Sequence, residues 1–167
     1  MINKIQIELG NIINYECDAI VNSANIWLLG GSGVCGAIFR AAGKLELQAE
    51  CDKIGGCETG SAVITKGFNL KSKYIIHAVG PRYKDDNDAI LLESTYKSIL
   101  KIADEYKMKS IAIPSISTGV YRYPLEKAVK IALNTLISNN VESLETIYIV
   151  CFDKETFNAY QNEMKKC

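Results

Sequence analysis

A short apolar run, a glycine-bearing turn and a segment of small residues decide the fold; from residue 18 to residue 43 they read DAIVNSANIWLLGGSGVCGAIFRAAG. The run Asp18–Val21 is typical of a buried strand, and Gly33–Ala42 predicts a helix. Glycines at a strand-to-helix junction let backbone N–H groups approach a ligand closely, and a helix N-terminus favours an anion. The stretch therefore predicts either a phosphate-binding junction or a tight turn with close helix packing.

Outside this stretch, apolar runs of strand length alternate with segments of helical periodicity. Strands are predicted at Lys4–Leu9, Ser61–Thr65, Tyr74–Val79, Ser110–Ile113 and Thr146–Phe152. Helices are predicted at Leu45–Lys53, Ile90–Tyr106, Leu125–Asn139 and Lys154–Lys165. The last two strands are apolar throughout, which indicates crossover helices on both faces of the sheet. The expected fold is a three-layer α/β/α sandwich with a central mixed sheet of about six strands.

Length and charge narrow the possible functions. The 167 residues suit one domain, 1–167, and no Pro/Gly/Ser-rich linker divides them. Nineteen basic residues balance nineteen acidic ones, so the chain has no long-range positive field. That balance argues against nucleic acid or an anionic membrane as a partner, and it requires any anionic ligand to be held locally. We expect a soluble cytoplasmic protein, because neither a signal segment nor a long apolar span is present. The oligomeric state stays open, with a monomer expected.

The spacing of the six cysteines and the single histidine gives little indication of a metal site. No Cys-x-x-Cys pair occurs, and a structural zinc site needs four ligands, usually in paired short spacings. We expect reduced structural thiols, no metal site and no cofactor. His77 lies within an apolar strand, which is more typical of a core residue than of a catalyst.

A second loop, residues 114–124, follows the buried strand Ser110–Ile113 and reads PSISTGVYRYP. Ligands of open α/β sheets bind beyond the carboxyl ends of the strands, where both loops are predicted to lie. Backbone amides and hydroxyls from two such loops would suit a diphosphate without requiring excess charge. Tyr121 and Tyr123 are candidates to line a site for a sugar or base, or else to pack the loop onto the sheet. The alternative is an ordinary turn between a strand and a helix.

Five motifs in the same order resemble a macro domain, of the ADP-ribose-binding Appr-1''-p processing family, and look most like its MacroD-type branch. They occupy residues 10–25, 30–43, 56–62, 77–81 and 116–124. The resemblance covers nearly the whole chain. It implies a domain that binds ADP-ribose, free, O-acetylated or attached to a protein, in a cleft at the carboxyl edge of the sheet.

The resemblance also implies which residues meet each part of ADP-ribose. Asn11 and Ile12 would meet the adenine, and Phe152 would stack on it or border it. Asn25 would hydrogen-bond the distal ribose. Two loop segments would line the distal ribose and the diphosphate; they comprise Gly31, Ser32, Gly33 and Val34 from the first loop, and Ser117, Thr118, Gly119, Val120 and Tyr121 from the second.

Three departures from the family pattern bear on activity. Asn11 stands where Asp is common, which weakens the acceptor for the adenine amine. Cys35 replaces the Asp of the hydrolytic branch, and Phe39 replaces a frequent His. A thiol with an ordinary pKa of about 8.5 is a poor general base at neutral pH, although a helix N-terminus can lower that pKa. Cys35 is therefore either a thiolate at the cleft or a small residue that fits the available space and takes no part in the chemistry.

Two functions remain open from the sequence. The first is a binding module for ADP-ribose or mono-ADP-ribosylated protein. The second is an ADP-ribosylhydrolase or O-acetyl-ADP-ribose deacetylase that removes mono-ADP-ribose from acidic side chains, with Asn25 and Cys35 as catalytic candidates. Positioning alone can supply much of the acceleration in such a mechanism. A nucleic-acid or poly-ADP-ribose binder is the third class, and the absence of a basic stripe argues against nucleic acid.

Overall fold

The computed structural model describes residues 1–167, and its six strands form one sheet. They are β1 (Ile5–Leu9), β2 (Ala19–Ser23), β3 (Ala62–Lys66), β4 (Tyr74–Ala78), β5 (Ser110–Ile113) and β6 (Thr146–Cys151). The strand order is β1-β6-β5-β2-β4-β3. All neighbouring strands are parallel except β3, which runs antiparallel to β4. The predicted mixed sheet is confirmed.

Five helices connect or follow the strands. They are α1 (Gly33–Ala42), α2 (Lys44–Ile54), α3 (Asp88–Glu105), α4 (Leu125–Ser138) and α5 (Lys154–Met164). A short 3-10 turn, Ile12–Asn14, lies between β1 and β2. Every predicted strand and helix is present, and its ends shift by no more than two residues. None of the helices combines the length and the hydropathy that a membrane-spanning segment requires.

Two hydrophobic cores lie on opposite faces of the sheet, which gives the predicted three layers. Ile111 and Ile113 of β5 pack in the larger core with α3, α4 and α5. Ala112, between them, packs in the smaller core with α1 and α2. Because successive side chains of a strand point to opposite faces, a strand covered on both sides must be apolar at every position. This explains why β5 lacks the alternation of a half-exposed strand.

The pairing between β2 and β5 is short, and this creates the crevice of the sheet. Only Ala19 with Ile111 and Ile20 with Ala112 are paired. Beyond Ile20, β2 pairs with β4 alone. Chain connections leave β5 and β2 toward opposite edges of the sheet, so this is the point where open α/β sheets place a ligand cleft.

Asp18 holds the two strands together at the closed end of this crevice. Its carboxylate Oδ2 accepts hydrogen bonds from the backbone N–H groups of Lys109 and Ser110, at 2.5 Å and 3.2 Å. The Ser110 hydroxyl oxygen and carbonyl oxygen in turn accept from the backbone N–H of Asp18. The side chain and main chain thus join the start of β2 to the start of β5.

We predict that Asp18→Ala lowers the free energy of unfolding by about 1–3 kcal/mol, because it removes the acceptor of two backbone N–H groups, of which the one at Ser110 is partly buried. Urea unfolding measures the change. Asp104→Ala is the matched control, since it removes only an exposed ion pair with Lys107 and should cost less than about 1 kcal/mol. Equal losses in the two variants would contradict this role for Asp18.

Candidate functional site

The site residues predicted from the sequence meet at one edge of the sheet. This edge holds the carboxyl ends of the parallel strands β1, β6, β5, β2 and β4. Asn11 and Ile12 follow β1, and Phe152 follows β6. The loop of residues 24–32 follows β2, and the loop of residues 114–124 follows β5. Both loops flank the crevice where β2 and β5 cease to pair.

The second loop crosses the end of β2 and reaches the segment that follows β4. A Cβ added to Gly80 would overlap the Ser117 hydroxyl oxygen, so these two residues are in close contact. The backbone N–H of Tyr83 donates to the carbonyl of Tyr121 at 2.9 Å. Ser117 has a positive φ of 69°, and this left-handed conformation turns the chain back across the sheet edge. The loop is therefore held on both sides of the crevice.

Backbone N–H groups on both sides of the crevice have no acceptor within the chain. Three belong to the first turn of α1, at Gly33, Val34 and Cys35, because the helical bonds begin with Gly36 donating to Ser32. Five are consecutive in the second loop, at residues 117–121. Unpaired N–H groups at a helix N-terminus and in a tight loop bind anions, since both orient several donors toward one point.

The glycines of the first loop divide into open and packed positions. Cβ atoms added to Gly31 or Gly33 would meet nothing, and the same holds for Gly119 across the crevice. A Cβ on Gly36 would instead overlap the carbonyl oxygen of Gly31. Gly36 is thus required for packing of the loop on α1, whereas the three open glycines face free space that a ligand can occupy.

Asn25 shapes the loop that carries it. Its Oδ1 accepts from the backbone N–H groups of Trp27 and Leu29, at 3.2 Å and 3.0 Å, and its Nδ2 donates to the Leu29 carbonyl at 2.9 Å. One Nδ2 hydrogen remains for a ligand, because the amide has two. Gln48 of α2 supports the same loop, since it donates to the Leu28 carbonyl and accepts from the N–H of Gly30.

A continuous series of hydrogen bonds runs from the sheet interior to Cys35. Asn22 of β2 and His77 of β4 are paired in register, and Asn22 Nδ2 lies 3.1 Å from His77 Nδ1. Nδ1 accepts this bond, so Nε2 carries the proton and donates to the Thr65 hydroxyl at 2.9 Å. Asn22 Nδ2 also donates to Cys35 Sγ at 3.6 Å. We call Thr65, His77, Asn22 and Cys35 the polar chain.

The polar chain ends beside Asn25. Cys35 Sγ donates to the Leu29 carbonyl at 3.8 Å, the same carbonyl that accepts from Asn25. Asn22 is fully buried, and its Oδ1 has no partner. Sequence reasoning missed Asn22 as a residue of this site. The available signal was that β2 and β4 each carry one strongly polar residue in an apolar run.

His77 is a core residue, as predicted, and it is neutral. Burial lowers the pKa of its imidazole to about 4, because a charged ring at this position would lose its contact with water. Phe39 packs edge-on against the His77 ring and against Gly30. The aromatic side chain that replaces a family His therefore fills the space between α1, the first loop and β4.

The residues predicted to meet an adenine lie together, with different exposures. Phe152 is 76% exposed, so its ring is available for stacking. Ile12 is buried in the smaller core. Asn11 is exposed, and its Oδ1 accepts from the N–H of Ile13, which caps the 3-10 turn. A depression of about 460 Å³ next to Asn11 is also lined by Tyr15 and Tyr148.

In the second loop, the hydroxyl groups of Ser117 and Thr118 lie against protein atoms. The Ser117 hydroxyl is buried without a partner, and the Thr118 hydroxyl donates to the Ser115 carbonyl. Val120 is exposed and Tyr121 half-buried. Of the two roles predicted for Tyr123, the structure supports packing: the side chain is 4% exposed, and its hydroxyl donates to Asp88 at 3.3 Å. Tyr123 faces the larger core because its ring packs on Tyr83.

The fold and this cleft define a class of protein: an α/β/α sandwich that presents unpaired amides to an anion at the carboxyl edge of its sheet. A family model described as Macro domain matches residues 21–132. The chain is 46% identical to O-acetyl-ADP-ribose deacetylase 1 of Pantoea vagans, across 94% of this chain and 96% of that protein. The chain belongs to the macro domain family.

Solved structures agree with this assignment. The Oceanobacillus iheyensis macrodomain with ADP superposes with a TM-score of 0.92 at 39% identity, covering 99% of this chain and 93% of that one. The Trypanosoma brucei macrodomain in complex with ADP-ribose has a TM-score of 0.88 at 38% identity, covering 95% of this chain and 68% of that one. The expected resemblance and fold are confirmed.

The low pKa of His77 predicts an acid-sensitive fold. The ring binds a proton near pH 6.5 when the chain is unfolded but only near pH 4 when folded, so stability is fully present above pH 6.5 and falls as the pH is lowered toward 4. The stability advantage of the wild type over His77→Phe should therefore shrink by up to about 1.4 kcal/mol per pH unit. Urea unfolding between pH 7 and 4.5 measures it.

His77 is the one histidine of the chain, so its ring resonances are unambiguous in an NMR titration of the folded wild type. They should not titrate above about pH 5. An imidazole that titrates near pH 6.5 in the folded protein would contradict the buried, neutral state.

Proposed function

We propose that this protein binds ADP-ribose, free, O-acetylated or linked to a protein, in the crevice between the two loops. The observation that carries this proposal is the set of unpaired N–H groups on both sides of the crevice, three from the start of α1 and five from residues 117–121. A diphosphate placed between them would receive hydrogen bonds from both sides. Neutral donors suit a chain whose net charge is zero.

The diphosphate and part of the distal ribose would lie against Gly31, Ser32, Gly33 and Val34 on one side. Opposite them would lie Ser117, Thr118, Gly119, Val120 and Tyr121. The free space next to Gly31, Gly33 and Gly119 supports this placement, because no protein atom apart from the adjoining chain lies within 4 Å of where a side chain at these positions would begin. The hydroxyls of Ser117 and Thr118 point inward, so we assign binding in the second loop to its main chain.

The adenine would lie at the β1 and β6 end, with its ring on Phe152 and its amine at Asn11. The Asn11 carbonyl oxygen already accepts one hydrogen bond, from Ile13, and its second lone pair remains available. At the other end, the free Nδ2 hydrogen of Asn25 would bind a hydroxyl of the distal ribose. The proposed partner is ADP-ribose or a mono-ADP-ribosylated protein rather than nucleic acid, since the chain has no excess positive charge.

Titration calorimetry with ADP-ribose tests this function. We predict binding by the wild type and at least about tenfold weaker binding by Gly119→Val, whose side chain would enter the space of the diphosphate. Because a Cβ at this position meets nothing and the glycine has no positive φ, the thermal midpoint should be unchanged. The absence of heat with millimolar ADP-ribose, or full affinity in Gly119→Val, would contradict the proposed cleft.

A second candidate function is hydrolysis of the bond to the distal ribose. It is favoured by the position of Cys35, whose Sγ accepts from Asn22 and donates to the carbonyl that Asn25 holds. A relative carrying the name O-acetyl-ADP-ribose deacetylase adds support. Asn25 and Cys35 are the residues we would assign to catalysis. Against this, the geometry shows the thiol as a hydrogen-bonded group, and no carboxylate accompanies it.

Replacing Cys35 distinguishes the binding module from the enzyme. If the natural protein only binds, we predict no release of ADP-ribose from a mono-ADP-ribosylated protein by the wild type or Cys35→Ala, with turnover appearing in Cys35→Asp. A general base of this kind is worth about 10²–10⁴ in rate. Turnover in the wild type that is lost in Cys35→Ala would instead make the thiol catalytic, and turnover unchanged in Cys35→Ala would leave the thiol without a role.

A further inference from the structure

The loop that Asn25 shapes displays three large apolar side chains to solvent. Ile26 is 41% exposed, Trp27 is 64% exposed and Leu29 is 49% exposed. We call these three residues the mouth patch. Isolated exposed apolar residues are ordinary, but three within four consecutive positions, with a tryptophan at their centre, are typical of a contact surface.

The backbone conformation of this loop directs the mouth patch toward solvent. Leu28, the one buried residue among these four, is 1% exposed and has a φ of 57°. A left-handed conformation costs free energy in a residue with a bulky side chain, and here it lets Leu28 enter the smaller core while Trp27 and Leu29 turn to solvent. Asn25 and Gln48 fix the backbone on either side. The exposed side chains thus belong to a rigid surface.

The position of the mouth patch relative to the cleft indicates what covers it. The Leu29 carbonyl accepts from both Asn25 and Cys35, so the patch begins where the cleft ends. With adenine at β1 and β6 and the diphosphate between β5 and α1, as proposed above, the distal ribose would lie at the end of β2. In protein-linked ADP-ribose, the polypeptide is attached to this ribose. It would therefore leave the cleft beside Ile26, Trp27 and Leu29.

We propose that the mouth patch binds the polypeptide that carries ADP-ribose, through apolar residues next to the modified side chain. The inference rests on the proposed function and narrows its substrate class to protein-linked ADP-ribose. Preorganisation favours such a contact, because ordering a flexible loop would otherwise cost affinity. Free and O-acetylated ADP-ribose carry no polypeptide and would leave the patch uncovered.

Affinity measurements on two ligands test this surface. The probes are free ADP-ribose and a peptide that carries ADP-ribose through a non-hydrolysable linkage, with leucine or valine on each side of the modified position. We expect the wild type to bind the linked peptide about fivefold or more tightly than free ADP-ribose. Trp27→Ser should lose that advantage and keep its affinity for free ADP-ribose. Ile90→Ser, which removes an exposed apolar side chain from α3 on the opposite face, should change neither.

The fluorescence of Trp27 also measures contact with the mouth patch directly, because Trp27 is the one tryptophan of the chain. The linked peptide should protect its fluorescence from acrylamide quenching, and free ADP-ribose should not. Equal affinities for the two probes in the wild type, or a tryptophan equally accessible with and without the linked peptide, would overturn the surface while leaving ADP-ribose binding intact. Failure of free ADP-ribose to bind would overturn the proposed function itself.

Discussion

The hydrogen bond between Asn22 and His77 links the core of the sheet to the cleft. It joins two strands at a paired register position, and it sets the ring so that Nε2 faces Thr65. Because the ring is held neutral by burial, it accepts from Asn22 and leaves the second amide hydrogen for Cys35. Cys35 and Asn25 then share the Leu29 carbonyl. The loop that borders the proposed ribose site is thus anchored in the sheet interior.

The crevice itself follows from a short strand pairing. β2 and β5 pair over two positions near Asp18, and the loops that follow them place unpaired amides on opposite sides of the gap. Such donors orient partial positive charge without lysine or arginine. A chain with balanced charges can in this way present a local anion site and still have no attraction for nucleic acid at long range.

Much of the fold was predictable because the apolar positions in the sequence correspond to the positions that the two cores bury. β5 is apolar at each position that the two cores cover, and α1 starts where the glycines end. The main candidate segments of the site were also predictable, since loops after parallel strands meet at one edge. The role of Tyr123 stayed open at the level of sequence, because nothing local distinguishes a tyrosine that lines a cleft from one that packs inward. Gln48 had no signal, because its partners lie in a loop that is distant in sequence.

The three layers, the order of elements, the two loops and the substitution of Cys35 for a family acid follow from local periodicity and residue identity, so they can be read from the amino-acid sequence. The contacts of Asn22 with both His77 and Cys35, the buried hydroxyl of Ser117, the bonded hydroxyl of Thr118 and the exposure of Trp27 beside the cleft appear only in the folded chain. Those facts depend on strand register and on loop conformation, which are set by contacts between residues far apart in the chain.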